Sequence, residues 1–164
     1  MDAREEYFYP SLAEVRRGGR VVWDWTGQAT HTATDASGMG LFDSGLVAPG
    51  GPSFSFTFAA AGSYPYVCTL HEGMDGWVQV PIRASRADDG ATVTWSSHTA
   101  PEGFVFDVQV RRGDRRWHPW LSGVTDPSAI YAATGGRLRM RSRLRLEATG
   151  ASSGWSEPAS VTLG

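Results

Sequence analysis

The chain has 164 residues, enough for one average domain or two small ones, and its 41% hydrophobic and 12% aromatic residues exclude a disordered chain. No stretch approaches the run of about 18 apolar residues that a membrane-spanning helix needs. The one cysteine, Cys68, excludes a disulfide within the chain and any zinc or iron–sulfur site that needs several cysteines.

Strand patterns dominate the first half of the chain. Residues 20–25 form a β-rich run after a Gly-Gly turn, and residues 53–58 alternate with period 2, which places three Phe on one face. Residues 64–68 and 77–80 predict two further strands, with Gly, Ser and Asp in the loops between them. No amphipathic helix of three turns is indicated.

The second half repeats this style, with predicted strands at residues 91–95, 104–110 and 137–146. In residues 137–146, Arg occupies every odd position and mostly apolar residues occupy the even ones. A strand separates these two sets onto opposite faces and a helix cannot. The apolar face of this strand consists of Leu138, Met140, Leu144 and Leu146.

The net charge of −2 is unevenly distributed along the chain. Residues 1–81 carry 4 Arg against 9 Asp and Glu, a balance of −5, and residues 82–164 carry 11 Arg against 8, a balance of +3. The change falls next to Pro81, directly after a predicted strand. We therefore predict an all-β protein of two β-sandwich domains, residues 1–81 and 82–164, with almost no linker.

Potential metal ligands surround the single cysteine. Cys68, His71 and Met74 form a C-x2-H-x2-M pattern on a short loop between two predicted strands, and His31 follows an earlier strand. Two imidazoles and one thiolate with a weak axial thioether describe a blue copper electron-transfer site. Zinc is the main rival, but thioether is a poor zinc ligand and only three other ligands are present.

Simpler interpretations of these residues stay open at this point. A lone Cys is most often a small buried core residue, and Met74 can fill core space without binding metal. A Cys/His pair can also serve nucleophilic catalysis, but no orienting Asn or oxyanion site accompanies this one. A multicopper oxidase is disfavoured because the chain has no His-x-His pair. We assign no role to His98 and His118.

The segment from Phe8 to Val80 resembles the plastocyanin-like blue copper domain, or cupredoxin. The resemblance is carried by R-R-G-G-R-V-V-W, H-T after a turn, F-D-S-G, F-S-F-T-F and Y-V-C-T-L-H-E-G-M-D-G-W-V-Q-V. The ligand loop is amicyanin-like, and the F-D-S-G segment is halocyanin-like. The resemblance implies a Greek-key sandwich with the Thr32 backbone beside the Cys68 sulfur. The copper ligands that it implies are His31, Cys68, His71 and Met74.

Residues 82–164 resemble a fibronectin type III domain, an immunoglobulin-like sandwich. This resemblance is carried by A-T-V-T-W, F-D-V-Q-V-R, W-H-P-W-L-S-G, the Arg-rich strand and the closing G-W-S-E-P. It implies a cation–π stack between Trp155 and the Arg-rich strand, with Trp117 or Trp120 as a further member. Binding of nucleic acid or another polyanion is disfavoured, because the balance is only +3 and the aromatic residues have a structural use.

These observations predict a mononuclear type 1 copper protein that carries electrons and is not an enzyme. The resemblance places the electron exit at His71, where we expect a redox partner protein to dock. Carboxylates from Glu72, Asp75, Asp35 and Asp43 give this end an acidic rim, which favours a basic partner. The alternatives are a copper storage, delivery or sensing module, and an extracellular binding or adhesion protein with a vestigial site.

The start of the sequence, residues 1–6, is acidic and lacks the apolar segment of an export signal. The protein is therefore either cytoplasmic or its sequence begins after such a signal. Copper exchange and a fibronectin type III domain both suit export, so we expect a periplasmic or extracellular location. We expect no membrane-spanning segment and no nucleic-acid partner.

Overall fold

A computed structural model describes residues 1–4 and 7–164, so Glu5 and Glu6 of the acidic start lie outside the described residues. The described residues form strands and loops, and no helix among them could cross a membrane. In chain order the strands are β1 (Asp2–Arg4), β2 (Tyr7–Tyr9), β3 (Leu12–Glu14), β4 (Gly19–Trp25), β5 (Thr34–Asp35), β6 (Phe54–Phe58), β7 (Gly62–Val67), β8 (Asp75–Val80), β9 (Arg83–Ala87), β10 (Gly90–Thr94), β11 (Phe104–Arg112), β12 (His118–Val124), β13 (Ser128–Ala132), β14 (Gly136–Leu146) and β15 (Ala159–Leu163).

The first eight strands form a sandwich of two four-stranded sheets, ordered β2-β1-β4-β6 and β3-β8-β7-β5. Strand β4 alternates as period 2 requires: Val21, Trp23 and Trp25 are buried and the residues between them are exposed. The Trp23 ring meets Tyr66 of the opposite sheet at 5.4 Å between centroids, and Tyr66 meets Phe8 at 4.7 Å. Aromatic side chains from both sheets therefore fill this core.

The three Phe of β6 all contact one ring, as their shared face predicts. Phe42 lies 6.2 Å from Phe54, 5.0 Å from Phe56 and 5.8 Å from Phe58 between ring centroids. Phe42 is the first residue of the F-D-S-G segment. Its burial therefore anchors the segment that lies beside His31.

The last seven strands form a second sandwich, with a three-stranded sheet β13-β10-β9 and a four-stranded sheet β12-β11-β14-β15. Leu138 and Met140 of β14 are fully buried and Leu144 is nearly so, as the alternation predicts. Trp120 lies edge-on to the buried Trp95, with 6.0 Å between ring centroids. The all-β, two-sandwich architecture is thus confirmed, while the fibronectin type III identity of the second sandwich stays a prediction.

The outward face of the four-stranded sheet carries a stack of guanidinium groups and indole rings. The Arg141 guanidinium carbon lies 4.3 Å from the Trp117 ring centroid and 4.8 Å from that of Trp155. Arg143 covers Trp155 at 4.7 Å, and Arg111 covers Trp117 at 5.1 Å. Trp117 is therefore the second Trp of the stack, whereas Trp120 is partly buried against the core.

Asp107 supplies a carboxylate to the same face. It accepts hydrogen bonds from the Nε atoms of Arg145 at 2.9 Å and Arg143 at 3.0 Å. Burial raises the pKa of Asp107, but hydrogen bonds from Arg145, the Gly123 N–H and Arg143 outweigh it and hold this pKa below its ordinary value. The charges of this face are thus partly satisfied within the sheet.

Replacing Trp155 with alanine is expected to lower the free energy of unfolding by about 2 kcal/mol. The change removes two cation–π contacts of about 0.5–1 kcal/mol each and the apolar contact of the ring with two Arg stems. Urea unfolding measures the effect. Ile130→Ala is the control, because Ile130 is 58% exposed on the other sheet of the same sandwich and should lose about 1 kcal/mol or less. Equal losses in both variants would contradict a stabilising stack.

The two sandwiches are joined by backbone hydrogen bonds. Ser63 and Gly154 exchange two N–H···O bonds of 3.0 and 2.8 Å, and the Ala61 N–H donates to the Trp95 carbonyl at 2.7 Å. Buried apolar residues of both sandwiches belong to one continuous cluster. Strand pairing and core packing therefore cross the division between residues 81 and 82, which stays a prediction as a domain boundary.

Gly62 lies at the closest point of this contact. A Cβ atom there would lie 2.5 Å from the Ser153 Oγ and 3.1 Å from the Ser153 Cβ. Ser153 is 3% exposed, and its hydroxyl accepts from the Leu144 N–H at 3.1 Å and donates to the Gly154 carbonyl at 2.9 Å. The close approach therefore requires glycine at position 62, where β7 begins.

Candidate metal centre

The loop of residues 68–74 carries the C-x2-H-x2-M pattern between β7 and β8, which pair antiparallel. The Cys68 N–H donates to the Met74 carbonyl at 2.9 Å, and the Met74 N–H donates to the His71 carbonyl at 3.2 Å. Gly73 has a φ of 78°, a left-handed conformation that favours glycine. The loop is thus closed at its base, and its side chains are held by the two strands.

His31 approaches from a different part of the sandwich. Its backbone pairs in both directions with Val47, with the His31 N–H donating at 3.0 Å and the Val47 N–H at 2.9 Å. Ser44 adds a third connection, because its hydroxyl accepts from the Ala33 N–H at 2.8 Å. His31 itself is fully buried. The F-D-S-G segment and the residues directly after it therefore hold the His31 segment in place.

The structure brings the three predicted nitrogen and sulfur ligands to one point. The Cys68 Sγ lies 3.4 Å from the His71 Nδ1 and 3.9 Å from the His31 Nδ1, and the three donor atoms lie within 4.8 Å of one another. Metal bonds of about 2.1 Å to nitrogen and about 2.3 Å to sulfur, at angles of about 110–120°, separate these atoms by about 3.6–3.8 Å. The arrangement therefore fits one metal ion.

Met74 lies directly before β8 and is 1% exposed. Its backbone closes the ligand loop, and its thioether is enclosed within the first sandwich. A thioether adds a soft, weak donor to a thiolate and two imidazoles, a combination that suits copper better than zinc. The donor set of this chain therefore favours copper.

Thr32 connects the two ligand-bearing segments. Its N–H donates to the Cys68 Sγ at 3.5 Å, which places the Thr32 backbone beside the sulfur as the resemblance implies. Its Oγ1 accepts from the Thr69 N–H at 2.9 Å. Such outer contacts fix the orientation of metal ligands and adjust their charge.

Access to the centre is uneven. His31 is 0% exposed and Cys68 is 4% exposed, whereas His71 is only half-buried. Two large apolar side chains are exposed near the ends of these segments. Leu70 directly precedes His71, and Leu46 directly precedes Val47, which pairs with His31. His71 is therefore the most accessible of the three converging residues.

The predicted acidic rim has two parts. Asp35 accepts hydrogen bonds from the Ser37 N–H and hydroxyl and from the Leu41 N–H, so it organises its own turn. Glu72 is exposed on the ligand loop and Asp75 is half-buried at the start of β8. His98 and His118 are exposed in the second half and lie outside the His31–Cys68–His71 cluster.

Sequence reasoning missed the residues that hold the ligands. Ser44, Val47 and Thr34 each contact the His31 segment or its neighbours. The F-D-S-G segment was the one indication of these contacts, and it entered the sequence analysis only as part of the family resemblance. Its hydrogen bonds could not be assigned without knowing that it runs antiparallel to residues 31–34.

A β-sandwich in which a loop thiol and two imidazoles converge, on a loop that a buried Met closes, is suited to one thiolate-bound metal ion. Residues 7–81 match the family model of copper binding proteins of the plastocyanin/azurin family. A search of curated proteins found no match.

Similar solved structures include a reduced Cu(I) form of an amicyanin variant at pH 4, which is 26% identical over 48% of this chain and 77% of that chain, with a TM-score of 0.45. Another is a purple cupredoxin from Nitrosopumilus maritimus, 27% identical over 45% of this chain and 81% of that chain, with a TM-score of 0.41. With the family match and the converging donors, residues 7–81 form a blue copper domain whose cofactor is a single type 1 copper ion.

Proposed function

We propose that this protein is a mononuclear electron carrier and not an enzyme, with His31, Cys68 and His71 as the strong copper ligands and Met74 as the weak axial ligand. The observation that carries the proposal is the convergence of two imidazole nitrogens on one buried thiol sulfur at 3.4 and 3.9 Å. Bound copper supplies a one-electron couple between Cu(I) and Cu(II).

The protein supplies rigidity to this site. The ligand loop is closed by the Cys68–Met74 hydrogen bond, and His31 is paired in both directions with Val47. Ligands fixed by paired strands cannot rearrange much when the charge of the ion changes. A centre of this kind loses and gains an electron at a small reorganisation cost.

The half-buried His71 is the electron exit in this proposal, and a redox partner docks around it. Exposed Leu70 and Leu46 supply apolar contact, and Glu72 supplies negative charge at this end. We therefore expect a basic redox partner and an association rate that falls as the salt concentration rises.

We propose that residues 82–164 form a fibronectin type III-like module that serves as a spacer or docking domain. This is supported by its three-stranded sheet β13-β10-β9 and four-stranded sheet β12-β11-β14-β15. The proposed location is periplasmic or extracellular, because copper exchange and a fibronectin type III-like module both suit an exported protein. Neither role calls for catalysis by the second sandwich.

Titration of the metal-free protein with Cu(II) tests the proposed function. We expect one equivalent of copper to produce an intense thiolate-to-copper band in the visible spectrum, and reversible one-electron cyclic voltammetry. Cys68→Ser removes the thiolate and should abolish the band completely while the fold persists. Absence of the band in the native chain, or its survival in Cys68→Ser, would contradict the proposal.

The same titration separates the alternatives. A site that binds Cu(I) tightly and gives no reversible couple favours copper storage, delivery or sensing. Failure to bind copper at a 1:1 ratio favours a binding or adhesion protein with a vestigial site. Metal analysis of the purified protein provides the stoichiometry.

A further inference from the structure

We propose that Asp43 is a positioning residue of the copper centre, which acts through the hydroxyls of Thr34 and Thr32 on the N–H group beside the Cys68 sulfur. The inference rests on the proposed function, in which that sulfur is a copper ligand. Asp43 lies in the F-D-S-G segment and is not itself one of the proposed ligands.

Thr32 and Thr69 connect the two segments that carry the proposed ligands. The Thr32 Oγ1 accepts the Thr69 N–H at 2.9 Å and lies 3.3 Å from the Thr69 hydroxyl. Thr32 and Thr69 each follow a proposed ligand, His31 and Cys68. The pair therefore sets how closely the Thr32 N–H faces the Cys68 sulfur, which it meets at 3.5 Å.

The two hydrogen bonds of the Thr34 hydroxyl have a defined direction. The Thr34 Oγ1 lies 3.0 Å from the Asp43 Oδ1 and 2.9 Å from the Thr32 Oγ1. A hydroxyl has one proton, and a carboxylate can only accept. The Thr34 proton therefore goes to Asp43, and the Thr32 hydroxyl donates to the Thr34 oxygen. The Thr32 lone pairs are then available to the Thr69 N–H.

Asp43 itself is held in place by its backbone and its neighbours. Its backbone forms a bridge with Thr34, and its Oδ1 also accepts the Gly45 N–H at 2.9 Å. The preceding Phe42 is packed against all three Phe of β6. Asp43 is thus a fixed acceptor although its side chain is exposed.

The consequence is electrostatic. An N–H group that faces the sulfur stabilises the electron-rich Cu(I) form more than the Cu(II) form, so hydrogen bonding at the Cys sulfur adjusts the potential. Loosening the chain from Asp43 to Thr32 weakens this contact and should lower the reduction potential. Loss of a nearby negative charge alone has the opposite sign, because it favours the reduced form.

Thr34→Val is the main test, because it removes the linking hydroxyl without changing charge or size. We expect Cu(I) binding to weaken about threefold relative to Cu(II), which is about 28 mV lower by voltammetry at 59 mV per tenfold change. Thr34→Ser keeps the hydroxyl and should retain the native potential. Glu72→Gln is the control for charge, and it should raise the potential slightly.

Asp43→Ala completes a double-mutant cycle with Thr34→Val. If Asp43 acts through Thr34, Asp43→Ala lowers the potential in the native background. In the Thr34→Val background it gives only the small rise expected for lost charge. Equal effects in the two backgrounds would show that Asp43 acts through its charge alone and would overturn the proposal.

Amide hydrogen exchange of the metal-free protein gives a readout that does not involve copper. We expect the Thr69 N–H to exchange at least about fivefold faster in Thr34→Val and Asp43→Ala than in the native chain. Unchanged exchange and potential, in a native protein that shows the thiolate-to-copper band, would overturn this inference alone. Absence of that band in the native protein would overturn both proposals.

Discussion

We expect the His71→Gly protein to lose the visible thiolate-to-copper band and to regain it when imidazole is added, whereas the His31→Gly protein should lose the band permanently. The two side chains have the same chemistry but different surroundings. His71 is half-buried on a loop, so its removal opens a channel that a free imidazole can enter. His31 is 0% exposed and its backbone is paired with Val47.

Absorption spectra recorded against imidazole concentration measure this difference. Loss of an outer contact costs about 10–100-fold in metal affinity, so loss of a direct ligand should cost at least about 100-fold in each variant. His98→Gly removes an exposed histidine outside the cluster and is expected to leave the band unchanged. Rescue of both variants, or of neither, would contradict His71 as the accessible ligand.

Much of this protein could be predicted from local patterns. The alternation in residues 137–146 predicted which side chains of β14 are buried, because successive side chains of a strand point to opposite faces of the sheet. The spacing of Cys68, His71 and Met74 predicted a ligand loop, and the structure brings the Cys68 Sγ within 3.4 Å of the His71 Nδ1 on the loop between β7 and β8. His31 needed the family resemblance, since 37 residues separate it from Cys68.

The parts that sequence could not provide depend on pairing between distant segments. The Thr34–Asp43 hydrogen bond requires that the chain return antiparallel to itself after residue 35, and a Thr and an Asp nine positions apart give no sign of this. The contact of Gly62 with Ser153 joins the two sandwiches across 91 residues of chain. The charge change near Pro81 predicts two domains, and that boundary stays a prediction. The hydrogen bonds and buried contacts between the two sandwiches have no counterpart in the charge pattern.

Gly62→Ala is expected to destabilise the whole protein by about 3 kcal/mol. The added Cβ would lie 2.5 Å from the Ser153 Oγ, and this hydroxyl has little freedom because it both accepts from Leu144 and donates to Gly154. Overpacking of a buried contact costs about 1–3 kcal/mol, and each lost hydrogen bond adds about 0.5–1.5 kcal/mol.

Calorimetry measures how large this destabilisation is and whether the two sandwiches unfold together. Because one core cluster includes residues of both sandwiches, we expect a single transition whose Tm falls by about 10 °C. Gly135→Ala is the matched control: its nearest neighbour would be a carbonyl oxygen at an ordinary 3.6 Å, and it should change stability by less than about 0.5 kcal/mol. In a Ser153→Ala background the cost of Gly62→Ala should fall, because the obstructing hydroxyl is gone. Two separate transitions, with only one displaced, would instead mean that the sandwiches fold independently and that β7 holds Cys68 without support from the second half.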